Sequence, residues 1–252
     1  MNYLVGDIGN TLTKICLLNS NFKIVKSQSV KTQKLNIKKY KINFFGKFRF
    51  SSINRHILFS SVVPSVFKII KLHLNKNKFK TIEIKELKLK EIIKLNVDSF
   101  NQVGSDRIAN AIGAYDTYKK NCLVIDFGTA TTFDVIKWPG LYDGGVIAPG
   151  INSSIVNLNK STALLPILSL NSKTKTYGKN TKDALNAGFL WGYQGLINNI
   201  IKKIRLSSKT NYKVILTGGK ANLFKNYINN KPTVDDNITI KGIIKIYKNL
   251  LI

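Results

Sequence analysis

The sequence predicts an α/β protein built from two related halves, and three observations carry that prediction. A short pattern occurs twice: residues 4–18 read LVGDIGNTLTKICLL and residues 123–136 read LVIDFGTATTFDVI. Leu4-Val5 matches Leu123-Val124, Asp7 matches Asp126, Gly9 matches Gly128 and Thr13 matches Thr132, so strand–Asp–x–Gly–small–small–x–Thr–strand is an internal repeat. Strand-like and helix-like segments alternate along the chain. No Pro- or Ser-rich linker divides the chain, so the boundary falls where the repeat restarts, giving halves 1–118 and 119–252. The simplest architecture has the two halves facing each other, each offering one hairpin to a shared ligand.

The elements follow in order. Residues 1–30 predict a hairpin running on into a third strand, NFKIVKSQSV, after the Asn19-Ser20-Asn21 turn. Residues 31–50 are Lys-rich and weakly patterned. HILFSSVVPSV, 56–66, is a strand ending in small residues before Pro64, and Phe67, Ile70 and Leu74 then recur at helical spacing. TIEIKEL is a short strand and 91–104 is loop-like. SDRIANAIGAYDTYKK, 105–120, predicts a helix with Ser105 as N-cap and Lys119-Lys120 in the last turn. After the second repeat hairpin, 134–150 forms a Gly-rich return and 151–166 is helix-like. Residues 178–204 lead from a loop into a long helix capped by Asn180 or Thr181, with Ala184, Ala187, Gly188, Gly192 and Gly195 allowing close approach. KVILTGGKANLF, 213–224, is a strand, a Gly-Gly turn and a helix start.

Composition narrows the function classes. At 252 residues and 44% hydrophobic content the chain has material for a sizeable core. Its 40 Lys+Arg against 13 Asp+Glu give a formal charge of +27. The excess is mostly Lys, spread along the chain among Asn and Ile, without the Arg-rich, aromatic-interleaved stretches of nucleic-acid modules. Specific nucleic-acid binding is therefore not expected, although salt-dependent sticking to polyanions is. Cys16 and Cys122 sit in apolar runs and read as buried thiols, and His56 and His73 lack metal-ligand neighbours. No leader pattern opens the chain and no apolar run reaches a membrane-spanning length, so a cytoplasmic protein without a membrane partner is expected.

The repeated hairpin reads either as an ordinary turn, for which Asp and Asn are common, or as a phosphate cradle. Glycine lets backbone N–H groups approach a phosphate, small hydroxyl and amide side chains add donors, and a strand-end Asp can hold Mg²⁺ beside it. LTGGKA, 216–221, is either a third such element flanking a nucleotide or a plain strand-to-helix turn. In VGSDRIAN, 103–110, Asp106 and Arg107 fall at a helix start. They read either as a dipole-matched Asp with a surface Arg, or as a proton acceptor for phosphoryl transfer and a two-pronged carboxylate holder.

Seven motifs in this order resemble one family over nearly the whole chain: DIGNT (7–11), VGSDRIANAIGA (103–114), IDFGTATTFDVI (125–136), GGVIAPG (144–150), LLP (164–166), GKNTKDALNAG (178–188) and TGG (217–219). They are similar to those of the type III pantothenate kinases, in the superfamily of acetate kinase, sugar kinases, actin and heat-shock chaperones. The resemblance implies two actin-like, ribonuclease H-like domains facing each other across a nucleotide cleft. It implies ATP-dependent phosphorylation of pantothenate to 4′-phosphopantothenate, the first step of coenzyme A synthesis.

Roles carry over residue by residue. Asp7, Ile8, Gly9, Asn10, Thr11, Leu12, Thr13 and Lys14 match the first ATP phosphate hairpin, with Asp7 near Mg²⁺. Asp126 matches the ligand of a monovalent cation, K⁺ or NH₄⁺, and Thr129 an ATP contact. Phe100, Gly104, Ser105, Asp106 and Arg107 match the pantothenate-binding segment, with Asp106 as proton acceptor. Thr181 matches a substrate contact from the partner subunit of a homodimer. The chain departs from the family before Gly104: a tyrosine and a proline are usual there, and this chain reads NVDSFNQVGSDR, with Phe100 and no proline. Two other functions stay open: a kinase of the same superfamily acting on another small molecule, and a non-enzymatic regulator that keeps the fold.

Overall fold

Apolar alternation on either side of each Asp-x-Gly turn folds both repeats into antiparallel hairpins. The computed structural model describes residues 1–48, 50–174, 176–229 and 231–252. They divide into two compact units: 1–119 with 137–143 and 237–252, and 120–136 with 144–236. The chain thus changes unit after residue 119, but the expected second half 119–252 gives 137–143 and the C-terminal segment to the first unit.

The first unit contains β1 (Asn2–Ile8), β2 (Leu12–Leu18), β3 (Ile24–Lys31), α1 (Lys38–Phe45), β4 (Ile53–Ser61), α2 (Pro64–Lys76), β5 (Lys80–Glu83), the two-residue β6 (Lys94–Leu95) and α3 (Ser105–Tyr118). Its sheet has the order β3-β2-β1-β4-β5, with β1, β2 and β3 antiparallel and β1, β4 and β5 parallel. Pro64 starts α2 at N1, where its missing N–H costs nothing, and Val66, Ile70 and Leu74 face the core. The weakly patterned 31–50 segment is not featureless. A 3₁₀ turn over Thr32–Asn36 buries Leu35, and Phe44, Phe45 and Phe48 join the same core as Ile8 and Ile57.

The second unit contains β7 (Cys122–Phe127), β8 (Ala130–Lys137), β9 (Leu141–Pro149), α4 (Ile151–Lys160), α5 (Thr181–Ser208), β10 (Lys213–Gly218), the single turn α6 (Ala221–Phe224) and β11 (Thr233–Val234). The ends of β8 and β9 nearest their connection, Lys137–Asp143, belong to the first unit, where Leu141 and Tyr142 pair with β6. Strands run in the order β11-β10-β7-β8-β9. This is the first sheet's order again, with β7 and β8 in place of β1 and β2, so the repeat extends from hairpin to sheet. The core of this unit gathers Leu123, Phe133, Leu190, Ile197, Leu216 and Phe224. Cys16 and Cys122 are fully buried thiols, as their apolar surroundings predict, and burial pushes Cys122 up to about 11.

α7 (Ile238–Leu250) returns to the first unit and packs on α3. The two helices touch backbone to backbone. A Cβ at Gly113 would meet the Ile238 carbonyl oxygen at 2.2 Å, and one at Gly242 the Ala109 carbonyl oxygen at 1.8 Å. Thr239 donates to Asn110 Oδ1 at 2.7 Å across the same seam. α3 is therefore clamped at its middle, from Ala109 to Gly113. Among the described residues, no helix is long and apolar enough to cross a membrane.

Candidate active site

In the first hairpin Asp7 pairs with Lys14 and Ile8 with Thr13, leaving Gly9, Asn10 and Thr11 as the turn, closed by Gly9 N–H donating to the Leu12 carbonyl at 3.0 Å. Thr32 braces it: its hydroxyl donates to the Gly9 carbonyl at 2.7 Å, and its N–H to the Thr11 carbonyl at 3.0 Å. Asn10, Thr11 and Leu12 are exposed, whereas Ile8 and Thr13 are buried in the sheet. Ile8 and Thr13 thus offer a ligand backbone only, and the buried Thr13 hydroxyl lies 3.1 Å from that of Thr32. Lys14 donates to Asn237 Oδ1 at 2.7 Å.

The second hairpin has a shorter turn. Asp126 pairs with Thr132 and Phe127 with Thr131, and only Gly128 and Thr129 lie outside the two strands. The match of Thr13 with Thr132 is therefore out of step by one residue. The buried partner across from the strand end is Thr131, whose hydroxyl donates to the Pro149 carbonyl at 3.1 Å. Two other backbones close on this turn. A Cβ at Gly150 would lie 2.0 Å from the Thr129 carbonyl oxygen. Gly218, at φ +85°, leaves no room beside Asp126, whose Oδ1 would be 2.5 Å from a Cβ there. The Thr-Gly-Gly turn thus abuts Asp126, with Thr217 in register beside it on β10. The carboxylate, the Gly128-Thr129 turn, the α4 N-terminus and Gly218-Gly219 converge within the second unit.

The Gly-x-Asp-Arg motif lies where α3 begins. The N-cap is Gly104, not Ser105, and no side chain caps the helix. Ser105 is the first helical residue, is buried, and hydrogen-bonds the Glu83 carboxylate instead. Asp106 curls back over Gly104: a Cβ at 104 would sit 2.4 Å from Asp106 Oδ1. The same oxygen accepts the Arg107 N–H at 2.8 Å. Burial raises the Asp106 carboxyl above its ordinary value, while the Arg107 N–H and guanidinium and the Lys85 ammonium pull it down. The Arg107 guanidinium lies over the Tyr142 ring, 5.8 Å from its centroid. Phe100, in a 3₁₀ turn over Phe100–Gln102, carries the Lys85 ammonium 5.4 Å above its ring. The hairpin and this motif meet through Val62, whose N–H donates to the Ile8 carbonyl at 3.1 Å and whose Cγ1 lies 3.5 Å from the Cβ position of Gly104.

Thr181 is the first residue of α5, and Asn180 is its cap, accepting the Asp183 N–H at 2.9 Å. Of the predicted site residues, only Thr181 lines a groove of about 940 Å³ with Pro149, Leu158, Phe189 and Tyr193. The α5 glycines do not admit a neighbouring backbone: Cβ atoms at Gly188, Gly192 and Gly195 would meet nothing within 4 Å, and Gly188 and Gly192 open onto the groove. Glu83, Thr32 and Tyr142, which hold the site in place, carried no motif signal. Each sits in a stretch whose pattern speaks only of a strand or loop.

Two sheets of one strand order, each with a glycine turn beside a strand-end carboxylate, define the actin-like class of α/β proteins, and solved structures agree. A Campylobacter jejuni protein described as of the Baf family of transcriptional activators aligns with a TM-score of 0.62 at 22% identity over 97% of each chain. The Clostridium difficile activator of 2-hydroxyisocaproyl-CoA dehydratase, solved with bound ADPNP, aligns with a TM-score of 0.56 at 14% identity over 98% of this chain and 94% of that one. Sequence then separates this chain within the class. Residues 3–203 match the family model of type III pantothenate kinase. The type III pantothenate kinase of Pelagibacter ubique (strain HTCC1062) is 45% identical over 244 residues, 96% of this chain and 97% of that one. This chain belongs to the type III pantothenate kinase family.

Proposed function

We propose that this protein transfers the γ-phosphoryl group of ATP to the terminal hydroxyl of pantothenate, giving 4′-phosphopantothenate and ADP. The observation that carries the reading is the Asp106 carboxylate, raised by burial, folded over a side-chain-free Gly104 and followed by Arg107. Asp106 takes the hydroxyl proton as the γ-phosphoryl moves in line, and Arg107, steadied on Tyr142, receives the pantothenate carboxylate. Positioning and charge neutralisation supply most of the rate, as in other phosphoryl transfers.

Each hairpin contributes to ATP binding: Asp7 to Lys14 through the Gly9-Asn10-Thr11 turn, and Asp126 to Thr132 through Gly128-Thr129. Asp7 is the Mg²⁺ residue and Asp126 the residue for K⁺ or NH₄⁺. The donor chemistry fits, because a single strand-end carboxylate beside a glycine turn suits a hard cation that takes its other oxygens from phosphate and water. Among the described residues, no group of three or more His, Cys, Asp or Glu offers a protein-only cage. Mg²⁺ supplies neutralisation of the phosphate charge.

The protein works in the cytoplasm as a homodimer, and Thr181 reaches the substrate of the partner subunit. The support is exposed apolar side chains next in sequence to residues that line the groove with Thr181: Leu164, 91% exposed, precedes Leu165, and Trp191, 43% exposed, precedes Gly192. A substrate panel tests the reading. With Mg²⁺-ATP and K⁺, pantothenate is expected to gain one phosphoryl group by mass, while sugars and other small hydroxy acids do not. Phosphorylation of another panel member in its place would assign a different kinase of the class.

A further inference from the structure

Glu83 ends β5, and its carboxylate gathers donors from three elements. Oε1 accepts the N–H of Ser61, the last residue of β4, at 3.3 Å, and Oε2 accepts the N–H of Lys85 at 2.7 Å. The third donor is the Ser105 hydroxyl, at the first residue of α3. β4 pairs with β1 so that Ser60 and Ser61 lie beside Asp7 and Ile8. One carboxylate therefore fastens the start of α3 to the strand end that abuts the first hairpin. α3 has no side-chain cap of its own.

From this geometry we infer that Glu83 is a positioning residue of the phosphoryl transfer: through Ser105 it fixes the first turn of α3, and with it the Asp106 carboxylate. The inference rests on the reading of Asp106 as proton acceptor. Lys85 supports the arrangement. Its ammonium draws the carboxyl groups of both Glu83 and Asp106 downward, against the larger effect of the burial that raises each. Glu83 also borders an opening of about 570 Å³ shared with Val62, Gly104 and Ser105.

The test uses the full chain and the variants Glu83→Ala, Glu83→Gln and Ser105→Ala, alone and with Asp106→Asn. A displacement of about 1 Å costs on the order of 10²-fold, so Glu83→Ala is expected to lower kcat by about 10- to 100-fold, with the KM for ATP within about twofold. Glu83→Gln, which keeps one acceptor oxygen, recovers part of that loss. In the Asp106→Asn background, Glu83→Ala is expected to cost less than about twofold, since no carboxylate remains to be placed. A kcat for Glu83→Ala within about twofold of the unmodified enzyme, or an equal loss in both backgrounds, overturns the inference. If Glu83→Ala does not fold, Ser105→Ala decides: it cuts one bond, leaves the carboxylate its two backbone donors, and is expected to lose at least about fivefold in kcat. Amide hydrogen exchange separates this inference from the reading beneath it. Exchange at residues 106–108 is expected to quicken at least about tenfold in Glu83→Ala or Ser105→Ala, and unchanged exchange overturns the inference. If the unmodified protein leaves pantothenate untouched, the functional reading fails, and the exchange result still decides whether Glu83 holds α3.

Discussion

Gly104→Ala adds one methyl group at the point where the Asp106 carboxylate folds back. Gly104 has φ −59° and ψ 142°, which any L-residue adopts, so the change adds no backbone strain. The new Cβ would stand 2.4 Å from Asp106 Oδ1 and 3.5 Å from Val62 Cγ1. Ordinary contact begins near 3.4 Å, so it is the carboxylate that retreats, by roughly 1 Å. If Asp106 is the proton acceptor, a shift of that size lowers kcat about 10²-fold, or about 2.7 kcal/mol of barrier. Alanine is a poorer N-cap than glycine, which costs about 1 kcal/mol of stability or less. The assay is steady-state ADP release with saturating pantothenate, alongside a denaturant titration and an ATP-binding measurement. The expected result is a large loss of turnover with stability and ATP affinity nearly intact. A Gly104→Ala enzyme within about threefold of normal turnover would refute the reasoning that this oxygen's place sets the rate.

The remaining predictions are shorter. Asp106→Asn should keep ATP binding and lose about 10²–10⁴-fold in turnover, measured by the same ADP-release assay. Since burial holds the Asp106 carboxyl above its ordinary 3.8, kcat should fall as pH drops through that raised value, and this acid limb should vanish in Asp106→Asn. The folding sign is the reverse. A carboxyl whose pKa is higher folded than unfolded favours the fold at low pH, and that contribution is lost as pH rises through the folded value, so Asp106→Asn should flatten this part of the stability profile. Gly218→Ala forces alanine to φ +85° and drives a Cβ to 2.5 Å from Asp126 Oδ1. It should cost about 1–3 kcal/mol in a melting experiment and blunt the activation by K⁺. Trp191→Glu should shift the protein from dimer to monomer in sedimentation and lower activity with it, because a charge replaces an exposed apolar side chain beside the α5 residues that line the groove.

The hairpins were legible because a glycine turn between apolar strands is written in adjacent residues, and the repeat showed that there were two. Their register was not. Whether a turn holds three residues or two depends on how the ladder closes, so Thr132 stood in for Thr131. Ser105 matches a cap by type, yet Glu83, 22 residues earlier on β5, takes its hydroxyl; a contact between distant strands leaves no local pattern. The α5 glycines show the limit from the other side. Small residues at helical spacing permit close approach, but here Gly188 and Gly192 open onto a groove and nothing lies within 4 Å of a Cβ at Gly195. Residues 31–50 hid their core members because Lys spacing dilutes the apolar period, while Phe44, Phe45 and Phe48 still reach the interior. The C-terminal helix joined the wrong half because nothing in its amphipathic pattern names the glycine on α3 that it meets.

The most direct test compares the unmodified protein and Asp106→Asn in ADP release with Mg²⁺-ATP and K⁺, each with and without pantothenate. Release is expected to depend on pantothenate in the unmodified protein and to fall by at least about 10²-fold in Asp106→Asn, with ATP still bound by both. Release that pantothenate does not stimulate, in protein that binds ATP, would contradict this expectation.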